Sequence, residues 1–304
     1  MNTQNPFTQE NNLANETPYL QRAPFEARAI LNSVLTALAW IAAIVASVPL
    51  FSVLYGLIVK GGHRLSMEVF TELPPAGFEE GGGFGNAIVG TLVTVGFGAL
   101  ISIPIGILAA IFLAELEPYG KVAYVARFCA KTLTGLPSIL AGVFAYAVVV
   151  LATGTYSAPA AGVALALLML PTVVLTAEEA MRMVPANMKN AAYGMGCTRT
   201  QVIWKIVLPT AIPGVLTGVM LAVARAAGET APLLFTALFS NYWFVENGTA
   251  ELMAPIASLS VLIYNFSGMP YDNQTELAWT ASLVLVLFVL LFNILARVLG
   301  RRKV

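Results

Sequence analysis

The sequence predicts an all-α polytopic membrane protein with six transmembrane helices, and three observations carry that fold class. Of 304 residues, 58% are hydrophobic and 11% charged, where a soluble globule has about a quarter charged; mean hydropathy is +0.79. The apolar residues gather in six long runs almost without charge, around 29–59, 87–114, 132–152, 158–177, 212–239 and 277–296. A run of roughly 20 such residues is what a helix needs to cross the hydrocarbon core. Finally, Lys and Arg are distributed by side. With the N-terminus inside, one side holds Arg22, Arg28, Lys121, Arg127, Lys131, Arg182, Lys189, Arg199, Lys205, Arg297, Arg301, Arg302 and Lys303, while the other holds Lys60 and Arg64. That asymmetry predicts cytoplasmic termini at both ends.

Residues 1–28 are rich in Asn, Gln, Thr and Glu, with Pro6, Pro18 and Pro24, and read as a polar cytoplasmic tail. They lack the layout of a cleavable signal peptide, so the first span is expected to be retained as an anchor. The permease domain is then 29–299, and 300–304 is a basic cytoplasmic end. Within the domain, Pro49 kinks the first span. Loop 60–86 carries Glu68, Glu72, Glu79 and Glu80 as well as the breakers Pro74-Pro75 and Gly81 to Gly85. The second span contains Pro104, and Glu115 to Lys131 is a polar, helix-compatible stretch. The third and fourth spans are joined by an uncharged turn at 153–157. A long polar segment, 178–210, precedes the fifth span.

The charges of loop 241–276 are all acidic: Glu246, Glu251, Asp272 and Glu276. Met253 to Phe266 is apolar but short for a span, and counting it as one would send the basic C-terminus outside. It reads as an interfacial or re-entrant helix. Cys129 and Cys197 form no disulfide framework and no metal-ligand spacing, and His63 reads as a solvated loop residue. No metal and no nucleic-acid partner are expected. ATP is not bound here either, because no Gly-x4-Gly-Lys-Ser/Thr loop occurs; Gly120-Lys121 lacks the upstream glycine and the following hydroxyl.

Two stretches stand out against this background. In the segment 178–210, Ala192, Met195, Val202, Ile203 and Ile206 recur at helical spacing, with Gly194 and Gly196 as a break between two short helices. Leu208-Pro209 is expected to end the second helix and turn the chain into the membrane. Such a loop could pack on its own spans or dock a partner. In the fifth run, Arg225 and Glu229 sit inside an apolar span, where an ionisable group is expensive and a functional candidate by default. Arg225 lies about 20 Å beyond Ile212 at 1.5 Å per residue. The two charges are four residues apart and share a helix face with Gly218, Ala222 and Pro232. They could be an internal ion pair, or Arg225 could offer its guanidinium fork to an oxyanion while Glu229 holds it between passages.

Both stretches resemble one family. Asn190-Ala191-Ala192, three residues, Gly196, nine residues, Ile206, one residue and Leu208-Pro209 is similar to the Glu-Ala-Ala loop of ABC importer permeases, except that Asn190 replaces the acid. In that family the loop forms coupling helices that sit in a groove of the cytoplasmic ATPase. The run Ala222-Val-Ala-Arg-Ala-Ala-Gly-Glu-Thr-Ala-Pro-Leu-Leu-Phe-Thr236 resembles the phosphate-import permeases of the PstA type. So do Leu133 to Tyr146, Glu178 to Pro185 and Gly85 to Leu92.

The resemblance implies a type I ABC importer (MetI-like) permease fold in a bacterial inner membrane. It also implies several partners besides membrane lipid: a second permease subunit (PstC-like), a dimeric ATPase (PstB-like) that uses the ATP, and an external phosphate-binding protein (PstS-like). Arg225, Glu229 and Thr230 would line phosphate passage, and Asn190, Ala191, Ala192, Gly196, Ile206, Leu208 and Pro209 would dock the ATPase. The expected function is a transport subunit, not an enzyme, that moves phosphate inward. The rivals are import of another oxyanion, molybdate or sulfate, and a proton-coupled secondary transporter acting through Glu229.

Overall fold

The computed structural model describes residues 27–246 and 249–300. The expected N-terminal tail lies outside them up to residue 26, as do residues 301–304. Among the described residues, 27–55 form one unit, most of the apolar helix Ala27–Gly56, and from Gly56 to residue 300 the chain forms a second unit, a helical bundle. Among the described residues five helices are long and apolar enough to cross a membrane: Ala27–Gly61, Gly85–Leu116, Ala158–Arg182, Arg199–Ala227 and Asp272–Ile294. A bent pair, Lys121–Thr134 with Ser138–Thr153, makes a sixth if taken as one span.

That bent pair corrects the expected third span. Residues 132–134 end the preceding helix, and the axis turns through 106° at Gly135-Leu136-Pro137. Pro137 pushes Leu136 out of the helical region and brings no N–H of its own, so no single helix can run from 132 to 152. Ser138–Thr153 is left, about 24 Å long at 1.5 Å per residue, with a π-turn at Tyr146–Val150.

The fifth span is corrected at both ends. Its helix does not start after Pro209: Arg199–Val202 runs through a π-turn, Ile203–Val207, directly into Leu208–Ala227. The Leu208 N–H reaches back five residues to the carbonyl of Ile203. With that wider turn ahead of it, Pro209 can follow within the first turn of Leu208–Ala227, where proline is tolerated. At the other end the helix stops at Ala227, turns through Gly228-Glu229-Thr230, and resumes as the short helix Ala231–Thr236. Pro232 explains the break, since a proline has no N–H for the carbonyl four residues back and its ring collides with it. The expected continuous run 212–239 is therefore two helices.

The segment 178–210 is also mostly helix. Residues 178–182 finish the fourth span, 186–194 form a separate helix, and 199 onward already belongs to the fifth.

Small residues set the helix spacing, as they do where membrane helices approach closely. A Cβ on Gly162 would lie 2.4 Å from Phe97 Cβ, and one on Gly106 2.7 Å from Val173 Cγ1, so the second span lies directly on the fourth. A Cβ on Gly218 would fall 1.9 Å from Thr176 Oγ1, which fixes the fifth span against the fourth in the same way. Leu165, Met169, Val173, Val202, Val207 and Val215 fill the core between them. The segment 253–266 enters the bundle rather than lying on it. Residues 256–262 are buried, Leu259–Ser267 is helical, and a Cβ on Gly90 of the second span would meet the Ala257 carbonyl at 1.9 Å.

Candidate functional site

Arg225 occupies the last turn of the fifth span and Glu229 lies just past its end. Among the described residues they meet through Arg225 Nε and Glu229 Oε1, 3.2 Å apart. The carboxylate is the more buried partner, 16% exposed against 44% for the guanidinium. Neither terminal amino group of Arg225 has a protein acceptor among the described residues, so most of the five N–H donors of the fork remain available. The shared face expected for a continuous helix is only partly kept, because the break displaces Glu229 and Pro232 from the axis that carries Gly218 and Ala222. Thr230 opens the short helix after the break; its carbonyl accepts from the N–H groups of Leu233 and Leu234, and its side chain makes no cap.

The break is held from outside. Helix continuation would pair the Glu229 carbonyl with the Leu233 N–H, but that N–H goes to Thr230. The carbonyl instead accepts from Ser260 Oγ at 2.9 Å. Gly142 of the third span lies under the next turn, where an added Cβ would sit 2.6 Å from Pro232 Cα.

At the other, basic end, the loop residues separate into two sets. Ala192 is fully buried and Ile206 and Leu208 partly so, packed with Val202, Ile203 and Val207. Asn190 and Ala191 face outward. Gly196 adopts φ +84°, its N–H donates to Tyr193 O at 2.9 Å, and the Cys197 N–H donates to Ala192 O at 3.1 Å. That pair of bonds is a Schellman closure of Ala186–Gly194, and the left-handed residue it needs is the reason for glycine there. The turn lifts an apolar face into the open: Met195 is 77% exposed, and Met188 and Tyr193 accompany it.

Two cations of this loop reach back to the second span instead. Lys189 pairs with Glu115, and the Arg199 guanidinium donates to the carbonyls of Glu115 and Leu116. Beside them, the buried Glu178 carboxylate accepts from Arg127 Nε at 2.6 Å and Arg182 Nη2 at 2.8 Å, while Arg127 Nη2 donates to Leu113 O at 2.6 Å. Cations thus cap the carbonyl end of the second span, where the helix dipole favours them. Glu115, Arg127, Glu178 and Arg182 were not singled out by sequence reasoning. The signal available was an acid at the end of each of two apolar runs facing a basic loop.

On the acidic face, Lys60 lies 4.7 Å from the Trp279 ring centroid, and Arg64 donates to Gly81 O and Asn273 O at 2.8 and 3.0 Å. His63 and Cys129 are exposed and Cys197 is half-buried. Among the described residues no cluster of His, Cys, Asp or Glu could hold a metal ion.

Residues 102–304 match the family described as "Binding-protein-dependent transport system inner membrane component". A Haemophilus influenzae protein named "Phosphate transport system permease protein PstA" is 41% identical over 283 residues, which is 93% of this chain and 98% of the relative. The chain belongs to this family of inner-membrane transport permeases. A Methanocaldococcus jannaschii protein named "Probable phosphate transport system permease protein PstA" is 35% identical over 82% of this chain and 86% of its own length.

Solved structures share the fold. One described as a bacterial alginate ABC transporter with an alginate-bound periplasmic protein has TM-score 0.59 at 18% identity, covering 90% of this chain and 96% of that one. The MetNI methionine ABC transporter in inward-facing form gives TM-score 0.56 at 21% identity, covering 71% and 92%. The expected all-α ABC importer permease fold is therefore the fold of this chain. It is a multi-pass transport component of the inner membrane that works with a binding protein, and the proton-coupled rival has no support in this kinship.

Proposed function

We propose that this permease carries inorganic phosphate inward as one membrane subunit of an ATP-driven importer. The observation that supports the substrate is Arg225: a guanidinium in an apolar span, held by a single 3.2 Å contact through Nε, with its two terminal amino groups without protein acceptors among the described residues. A planar fork with parallel N–H donors matches two oxygens of a tetrahedral oxyanion. Glu229 keeps the charge compensated between passages, and phosphate displaces it from the fork. Relatives named for phosphate transport favour phosphate among the oxyanions.

The partners follow from the surfaces. A guanidinium 44% exposed on the isolated chain is not left to lipid, so a second permease subunit of the PstC kind covers that side. The Met188, Tyr193 and Met195 face, carried on the Gly196 turn, takes the groove of a PstB-like ATPase dimer; Met suits such an adaptable contact. Asn190 and Ala191 flank that contact, and Ala192, Ile206, Leu208 and Pro209 support it from behind. A PstS-like binding protein delivers phosphate at the acidic face, and both termini are cytoplasmic.

Uptake by the assembled importer in proteoliposomes, loaded with ATP and supplied with binding protein, tests this. Labelled phosphate should accumulate and excess sulfate or molybdate should not compete. Accumulation of molybdate but not phosphate would overturn the assignment.

A further inference from the structure

Ser260 is 4% exposed, and its hydroxyl donates to the carbonyl of Glu229, which the helix break deprives of the Leu233 N–H. Ser260 is itself fixed. The neighbouring Leu259 N–H donates to Thr91 Oγ1 at 2.9 Å, the Thr91 hydroxyl donates to Ala87 O at 2.7 Å, and Ser258 caps the same helix through the Val261 N–H at 3.4 Å. A chain of hydrogen bonds therefore runs from the second span, through the first turn of Leu259–Ser267, to the backbone of Glu229. Ser260 and Glu229 are 31 positions apart in sequence, and nothing on the fifth span itself fixes that carbonyl.

We propose that Ser260 is a positioning residue for transport: by pinning the Gly228–Thr230 turn it keeps the Glu229 carboxylate where it can hold Arg225 through Nε and leave the rest of the fork open. This rests on the reading that Arg225 meets phosphate and Glu229 restrains it. Without the hydroxyl, a part-buried carbonyl loses its donor and the turn is released. Glu229 then no longer presents its carboxylate to Nε in a fixed geometry, and Arg225 is held in unproductive ones. Thr91 acts one step further back, as the anchor of the Leu259 N–H.

The test is a double-mutant cycle in the complete reconstituted importer, with co-purification of all subunits as the assembly control. Ser260→Ala should lower phosphate uptake up to about tenfold, the upper scale of one hydrogen bond, and Ser260→Thr should restore most of it. Adding Ser260→Ala to Glu229→Gln should cause no further loss, because both act on the same carboxylate. Wild-type uptake in Ser260→Ala, equal impairment by Thr, or losses that multiply in the double variant would each overturn the proposal. If Glu229→Gln alone leaves uptake unchanged, the Arg225–Glu229 reading falls, and this proposal with it. Should Ser260→Ala not assemble, Thr91→Ala and Thr91→Ser run the same cycle, and a loss that multiplies with Glu229→Gln overturns it equally.

Discussion

Lys189 and Glu115 form an ion pair across 74 positions of sequence, joining the helix that carries the Asn190-Ala191-Ala192 motif to the end of the second span. Arg199 adds bonds to the carbonyls of Glu115 and Leu116 from the far side of the Gly196 turn. Both flanks of the turn are thus tied to one helix end, and a push on the turn reaches the second span as well as the fourth and fifth.

Lys189→Met removes the ion pair but leaves Met188, Tyr193 and Met195 in place. The ATPase should still co-purify, while uptake per complex falls several-fold, about 1 kcal/mol of coupling for a part-buried pair. Loss of the ATPase on purification would move Lys189 into the docking face and contradict this division.

Glu178 compensates two guanidinium groups from a buried position, 5% exposed. Glu178→Gln leaves Arg127 and Arg182 without their carboxylate, and breaking such a pair costs about 3–5 kcal/mol. The expected outcome is a lower melting temperature in detergent and reduced yield. An unchanged melting curve would show that solvent already screens the cluster.

At Gly196 an added Cβ meets open space, so only the φ of +84° resists substitution. Gly196→Leu should strain the Schellman turn by about 1–2 kcal/mol and reduce ATPase co-purification, and Gly196→Asn should be milder because Asn tolerates the left-handed region. Equal retention of ATPase by Gly196→Leu would remove this turn from docking.

Arg225→Lys keeps the charge and loses the planar fork. Phosphate uptake should fall by about tenfold or more, the scale of a charge-assisted hydrogen bond, with all subunits still co-purifying. Undiminished uptake would take Arg225 out of the path.

The spans were legible because each is a long apolar run, and hydropathy responds to little else. Where the chain stays apolar and yet stops being helical, the runs mislead: residues 132–136 and 228–232 carry no charge beyond Glu229, and only Pro137 and Pro232 mark the breaks. Pro209 misled in the opposite sense, since the π-turn ahead of it removes the conflict a proline would otherwise create. Gly194 and Gly196 inside a helical pattern were enough to expect a break there. Arg225 and Glu229 were visible as charges in an apolar segment, whereas Ser260 was not, because its role depends on a carbonyl exposed by a break that hydropathy does not register. Glu115 and Glu178 looked like span boundaries, and their partners lie too far along the chain for any periodicity to join them.

The π-turn at Ile203–Val207 has a geometric consequence for everything beyond it. A π-turn holds one residue more than the α-turn it replaces, and one residue is about 100° of helix rotation. The azimuth at which Gly218 meets Thr176, and at which Arg225 leaves the bundle, is therefore a phase set upstream, about 27 Å of helix before Arg225, beside the Gly196 turn. If that turn closed as an α-turn with no residue removed, every residue beyond it would stay in the membrane but rotate by about 100° toward the wrong neighbour.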